Sequence, residues 1–129
     1  MSVAPILMLR RAIIAHLRAD AAVTATAIGA RSYGEKAPAQ PTWPFLRYGM
    51  SDAVPGDIAA PLHIFSKDPF TDDVNSIAEA VGASLDGKVL TLTNGRKAYL
   101  TWTGTRTLAG EDEWQAIVTL AARVPRECG

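Results

Sequence analysis

The sequence predicts an α+β domain in which two helices pack on one face of a mostly antiparallel sheet, in the order α-β-β-β-α-β-β-β. Three observations predict it. Two segments repeat apolar residues at helical spacing: Ile6, Leu9, Ile13 and Leu17 near the N-terminus, and Val74, Ile77, Ala78, Val81 and Leu85 mid-chain. Two long segments near the C-terminus alternate apolar and polar residues, as half-buried strands do. Connections rich in proline and glycine divide the remainder into short apolar runs.

Pro5 suits the first turn of the first helix, where its missing N–H would have no partner. That helix runs to about Arg18, with Arg10, Arg11 and Arg18 away from the apolar stripe. Asp20 can cap a short second turn and Gly29 can end it, before a strand over Ala30 to Tyr33. "GEKAPAQPTWP", with three prolines and a glycine in eleven residues, predicts an extended surface connection. Strands follow over Phe45 to Met50, over Leu62 to Lys67 and, after the second helix, over Val89 to Thr93. "SDAVPGDIAAP" between the first two predicts a long loop rather than a tight hairpin, and a candidate partner-binding segment.

In "AYLTWTGTRTL", Ala98, Leu100 and Trp102 oppose Tyr99, Thr101, Thr103, Thr105 and Thr107; in "EWQAIVTLAARV", Trp114, Ala116, Val118, Leu120, Ala122 and Val124 share one face. Two antiparallel strands joined through "AGED" result, with Gly104 marking a bulge and Gly110 a turn.

The chain of 129 residues has the size of one domain, 1–129, with about 125–129 a flexible tail. Apolar residues at 48% and charged residues at 20% are near globular averages. Thirteen basic residues balance thirteen acidic ones, which removes the overall positive field of a non-specific nucleic-acid binder. The one cysteine, Cys128, has no intramolecular partner, so a disulfide framework is excluded and a reducing compartment is expected. "MSVAPILMLRR" lacks the basic start and cleavage site of a secretory signal, and no window holds the ~18 apolar residues of a membrane span. A cytosolic chain, with no membrane partner, is the expectation.

Asp68, Asp72 and Asp73 lie just ahead of the second helical stripe, where acids favour the helix dipole. Asp68 before Pro69 is a candidate N-cap and Thr71 a second one; Gly87 is the stop signal. A calcium loop does not fit "DPFTDDVNSIAE", which places proline and phenylalanine where ligands and the sharp turn belong. His16 and His63 have no partner at metal-ligand spacing, and GxSxG, GxxxxGK[ST] and GxGxxG do not occur. No catalytic, metal or cofactor residue is therefore assigned. Trp43, Trp102 and Trp114 read as core or interface anchors, because basic residues do not interleave with them as in a nucleic-acid reader. The threonine face from Thr101 to Thr107 reads as a solvated strand face or an inter-subunit surface. Arg10, Arg11 and Arg18 read as a solvated helix face, or as a charged surface toward a protein ring or passing DNA.

Several stretches taken together resemble a known family. "LRADAAV", "ARSYGEKAP" and "WPFLRYG" are similar, in order and spacing, to the start of the tail completion, or tail terminator, proteins of long-tailed phages, prophages and gene transfer agents. "LHIFSKDPFTDDVNSIAEAVGASLDGKVLTL" resembles their strand followed by a helix, with Phe65 where an aromatic is usual, and "DEWQAIVTLAARV" resembles their closing strand. The loop "SDAVPGDIAA" departs from the family in being shorter and less charged.

The resemblance implies a structural virion-assembly protein that is not an enzyme. Such proteins form a hexameric ring on the head-proximal end of the tail tube, stop its polymerisation and present a docking surface to the head connector or stopper protein. DNA passes through the lumen without sequence-specific contact. The implied locations are the host cytoplasm during assembly and then the particle tail.

A ring closes through a heterologous contact between two different patches. Candidate interface residues for subunit or tube are Trp43, Arg47, Asp52, Asp57, Thr101, Thr103 and Thr105. Competing readings are a ferredoxin-like ligand-binding regulatory domain, which requires βαββαβ order, and a metal-dependent hydrolase using Asp68, Asp72, Asp73 and His63.

Overall fold

A computed structural model describes residues 5–26, 28–29, 31–33, 43–49, 52–54, 57–67, 72–92, 95–110 and 113–124. These residues form helices α1 (Pro5–Ala19), α2 (Ala21–Thr24) and α3 (Asp72–Leu85). The strands are β1 (Ser32–Tyr33), β2 (Phe45–Tyr48), β3 (Asp52–Val54), β4 (Asp57–Ser66), β5 (Val89–Thr91), β6 (Lys97–Ala109) and β7 (Trp114–Arg123). All seven share one sheet in the order β1-β2-β4-β7-β6-β5, with β3 beside β4. Every pair is antiparallel except β1 with β2. The α+β class and its rough order are as the sequence predicts; α2 and β3 are additions. Four strands before α3 do not fit βαββαβ.

In α1, Leu9, Ile13 and Leu17 are fully buried, one helical stripe facing inward. Asp20 caps α2 as expected: its Oδ1 accepts the Ala22 N–H at 2.8 Å. Gly29 takes φ of 54°, the left-handed conformation that suits glycine where this turn closes on Thr26. Along α3, Val74, Ile77, Ala78, Val81 and Leu85 lie within the same core as Leu62, Ile64, Ala98, Leu100, Ala116, Val118 and Leu120. Gly82 is required by packing: a Cβ there would lie 2.4 Å from the Trp102 ring. Beyond the helix end, the Trp102 N–H donates to Asp86 Oδ1 at 2.9 Å, tying α3 to β6.

Where "SDAVPGDIAAP" predicts a long loop, its described residues are strand. Asp52–Val54 pairs with Asp57–Ala59, and only Pro55 and Gly56 separate Val54 from its partner Asp57. Proline removes a ladder donor and is rare inside a sheet, yet Pro61 stands within β4. Its position explains the exception. β4 pairs with β7 through its even-numbered residues, so Pro61 turns toward β2 and β3, where its carbonyl accepts the Gly49 N–H at 2.8 Å. The missing donor falls at the junction between β2 and β3 and breaks no bond to β7.

The β6–β7 hairpin forms as predicted, with Gly110 donating to the Glu113 carbonyl at 2.7 Å. The predicted bulge at Gly104 is present: Trp102 pairs with Leu120, but Gly104 pairs with Thr119. It has a consequence that strict alternation missed. Beyond it, Thr105 lies opposite Val118 and Thr107 opposite Ala116, both buried positions. Thr105 and Thr107 therefore share the helix side with Trp102, whereas Thr101 shares the other face with Ala121. The single threonine face is thus divided, because one extra residue inverts the period-two pattern. The candidate caps Asp68 and Thr71 and the expected flexible tail, 125–129, lie outside the described residues.

Candidate assembly surface

The helices cover one face of the sheet, while the other carries an aromatic group built by β1, β2 and β4. Register places Phe45 opposite Phe65 and Arg47 opposite His63. Alternation puts Leu46 and Tyr48 into the core and sends Phe45 and Arg47 to the opposite face. The Phe45 and Phe65 rings stack at 5.0 Å with 24° between planes. Trp43 meets both edge-on, at 5.0 Å from Phe45 and 6.2 Å from Phe65, and Tyr33 lies 6.3 Å from Phe45. Phe45 at the centre is buried, and the surrounding rings are half-buried.

Two cations sit over this group. The Lys67 ammonium is 4.6 Å from the Trp43 ring, and the Arg47 guanidinium 5.8 Å from that of Phe65. His63 stacks beside Phe65 at 6.4 Å, and Gln115 Nε2 on β7 donates to its Nδ1 at 2.6 Å. Burial first, and the neighbouring Arg47 charge second, hold the His63 imidazole below its ordinary pKa. The Arg31 Nε–H donates to the Pro44 carbonyl at 2.8 Å and fixes the approach to β2.

Of the predicted interface residues, Trp43 and Arg47 are brought together here. Thr101 faces the same side but lies on β6, with β4 and β7 between. Thr103 stands at the bulge, where its hydroxyl donates to the Thr119 carbonyl at 3.1 Å. Thr105 lies on the helix side and takes a hydrogen bond from Trp102 Nε1 at 3.1 Å. Asp52 and Asp57 occupy the β3–β4 hairpin. Residue-by-residue reading missed Tyr33, Phe45, His63, Phe65 and Gln115 as parts of one surface. The signal was present as odd-numbered aromatic and polar positions in "FLRY" and "LHIF", but it needed the pairing of β2 with β4.

A second cluster joins residue types familiar from nucleophilic catalysis. Ser84 Oγ donates to Asp20 Oδ2, and His16 Nε2 lies 3.1 Å from Ser84 Oγ, 3.2 Å from the Ser84 carbonyl and 3.8 Å from Asp20 Oδ2. A triad needs the carboxylate on the second ring nitrogen and the serine proton given to the imidazole. Here all contacts meet on Nε2, and buried Ser84 gives its proton to Asp20. The cluster is a clasp joining α1, the α2 cap and α3. The Ser84 hydroxyl first, and the Ala22 N–H second, hold the Asp20 carboxyl below its ordinary pKa.

His63 lies on the face of the sheet away from the core that α3 packs into. Among the described residues, no group of three or more His, Cys, Asp or Glu side chains could hold a metal ion, and no helix is long and apolar enough to cross a membrane. On α1, Arg10, Arg11 and Arg18 line an open groove of about 340 Å³ with Ile14 and Ala15, and Arg18 Nε donates to the Ser32 carbonyl at 2.8 Å.

The family model described as tail completion protein gp17 matches residues 11–125. The chain belongs to this family. It is a structural protein of virion tail completion and not an enzyme. A solved chain from a structure titled "Virion of native gene transfer agent (GTA) particle" superimposes with TM-score 0.82 at 22% identity, covering 95% of this chain and 98% of that one. A second solved chain superimposes with TM-score 0.68 at 10% identity, covering 95% and 94% respectively. At these identities the likeness is one of fold. No curated protein matches this tail completion chain significantly.

Proposed function

We propose that this protein assembles as a hexameric ring on the head-proximal end of a tail tube, halts addition of tube subunits and presents the joining surface for the head connector or stopper. The observation that carries the reading is the aromatic face, which none of the described helices covers, joined to membership of the tail completion family. A subunit with one face sealed by helices and the other carrying half-buried rings under cations has a surface suited to close contact with protein. Trp43 and Arg47 are the residues we assign to subunit or tube contact.

Balanced charge suits close packing of like subunits, and it fits a lumen through which DNA passes without sequence-specific contact. Assembly takes place in the host cytoplasm, and the finished protein resides in the tail of a phage or gene-transfer-agent-like particle. The test is native mass spectrometry of the purified chain over a range of concentrations, alone and with its matching tail tube protein. A six-chain species, in either condition, is expected. A chain that stays single and ignores the tube would overturn the reading.

A further inference from the structure

One edge of the sheet is unfinished. β5 covers β6 only over Lys97–Tyr99; Leu100 then bonds to Lys88 and Gly87, and the Trp102 N–H to Asp86. Beyond the bulge, among the described residues, nothing pairs with that side of β6. Gly104, Arg106 and Leu108 oppose Thr119, Ile117 and Gln115, the β7 residues whose backbone turns toward β6. Thr105, Thr107 and Ala109 therefore turn their N–H and C=O groups outward, along a segment that is exposed from Thr103 to Thr107. Natural edges are blunted by prolines, charges or short length. This one holds no proline, a single charge at Arg106 and a run of threonines favourable to strand structure.

The opposite edge of the same sheet shows a contrast between its two strands. At β1 the outward Ser32 carbonyl is occupied by Arg18. At β3 the pairs Asp52 with Ala59 and Val54 with Asp57 face β4, so Ala53 turns its backbone groups outward. Asp52, beside it, carries the charge opposite to Arg106.

We infer that the distal edge of β6, Gly104–Ala109, accepts strand β3 of a second copy of this chain, extending the sheet from one subunit to the next. Each copy carries an acceptor edge at one end of its sheet and a donor edge at the other, so the contact is heterologous and repeats from subunit to subunit. Register sets Arg106 opposite Ile117, and Asp52 opposite Ala59, whose own partner is Ala121. Positions 52 and 106 thus belong to one face of the sheet, and a continued sheet keeps an acidic and a basic position on that same face. The inference rests on the ring reading and specifies the contact that closes it.

The test is native mass spectrometry of full-length variants, alone and with the tube protein. Thr107→Pro removes an outward N–H that the β6–β7 ladder does not use, so the fold should survive, as circular dichroism will show. We expect it to need at least about tenfold more protein to assemble than wild type. Thr107→Val, which keeps the N–H, should assemble normally. Arg106→Glu should weaken assembly, and adding Asp52→Arg should restore it.

Thr107→Pro assembling like wild type would overturn the inference while leaving the ring intact. Failure of the charge swap to restore assembly would overturn β3 as the donor. A Thr107→Pro protein that forms the multi-chain species but no longer binds the tube would give the edge to the tube instead. A wild-type chain that remains single in every condition would overturn the ring reading, and this inference with it.

Discussion

The two faces of the sheet are built from the same strands and differ in what completes them. On the covered face, Leu62, Ile64, Val118 and Leu120 are fully buried against the helices. On the open face, the rings of Tyr33, Trp43 and Phe65 remain half-buried and are met by cations rather than by a helix. The first face is finished within the chain and stabilises the fold. The second is only partly desolvated, so much of its apolar area is still available to a partner. Substitutions on the two faces should therefore separate stability from assembly.

The largest effect belongs to the covered face. Leu120→Ala removes a fully buried side chain at the centre of β7, and urea denaturation should show a loss of about 2–5 kcal/mol. Gly82→Ala comes next: its Cβ would overlap the Trp102 ring, and the expected loss is about 1–3 kcal/mol by the same measurement. A Gly82→Ala protein as stable as wild type would mean that Trp102 can move away, and the covered face would be less tightly closed than the packing indicates.

On the open face, Trp43→Ala should cost only about 1 kcal/mol of stability, the scale of its ring contacts, while abolishing the multi-chain species. A variant that assembles fully would remove Trp43 from the interface and undo the contrast between the faces.

The smallest effects are those of pH, one for each side. His63 is held below its ordinary value of 6.5, so its folded state favours the neutral ring. Its contribution is complete above that value and is lost as pH falls toward the lowered one, because the unfolded chain then binds the proton more readily. His63→Gln should flatten this part of the stability profile, measured by urea midpoints between about pH 7 and 5.

Asp20, also depressed, contributes fully above its ordinary value of 3.8 and loses that contribution as the pH falls below it. Asp20→Asn should make acid unfolding less steep there. A profile unchanged in either variant would show that the clasp or the His63 environment does not distinguish the two protonation states.

Much of the covered face could be read from the chain. The stripes of α1 and α3 and the alternation of β7 are local periodicities, and each reports which side of an element will be dry. Asp20 was legible as a cap for the same local reason, as was Gly104 as a bulge. The open face was less so. Trp43 and Arg47 were identifiable one at a time, but Phe45, His63, Phe65 and Gln115 join them through pairing between strands distant in sequence.

Periodicity by itself determined an α+β fold with two long helices and a C-terminal hairpin, because those properties depend on spacing along a few turns or residues. Tertiary structure alone decided that the described residues of "SDAVPGDIAAP" become strand, since the ten-residue pairing of β4 with β7 supplies the partner and points the Pro61 amide position away from β7. It also decided that Thr105 and Thr107 leave the face of Thr101, since a bulge has no meaning until a partner strand fixes the register. The same holds for the unfinished edge of β6: a strand is an edge only once its neighbours have been counted.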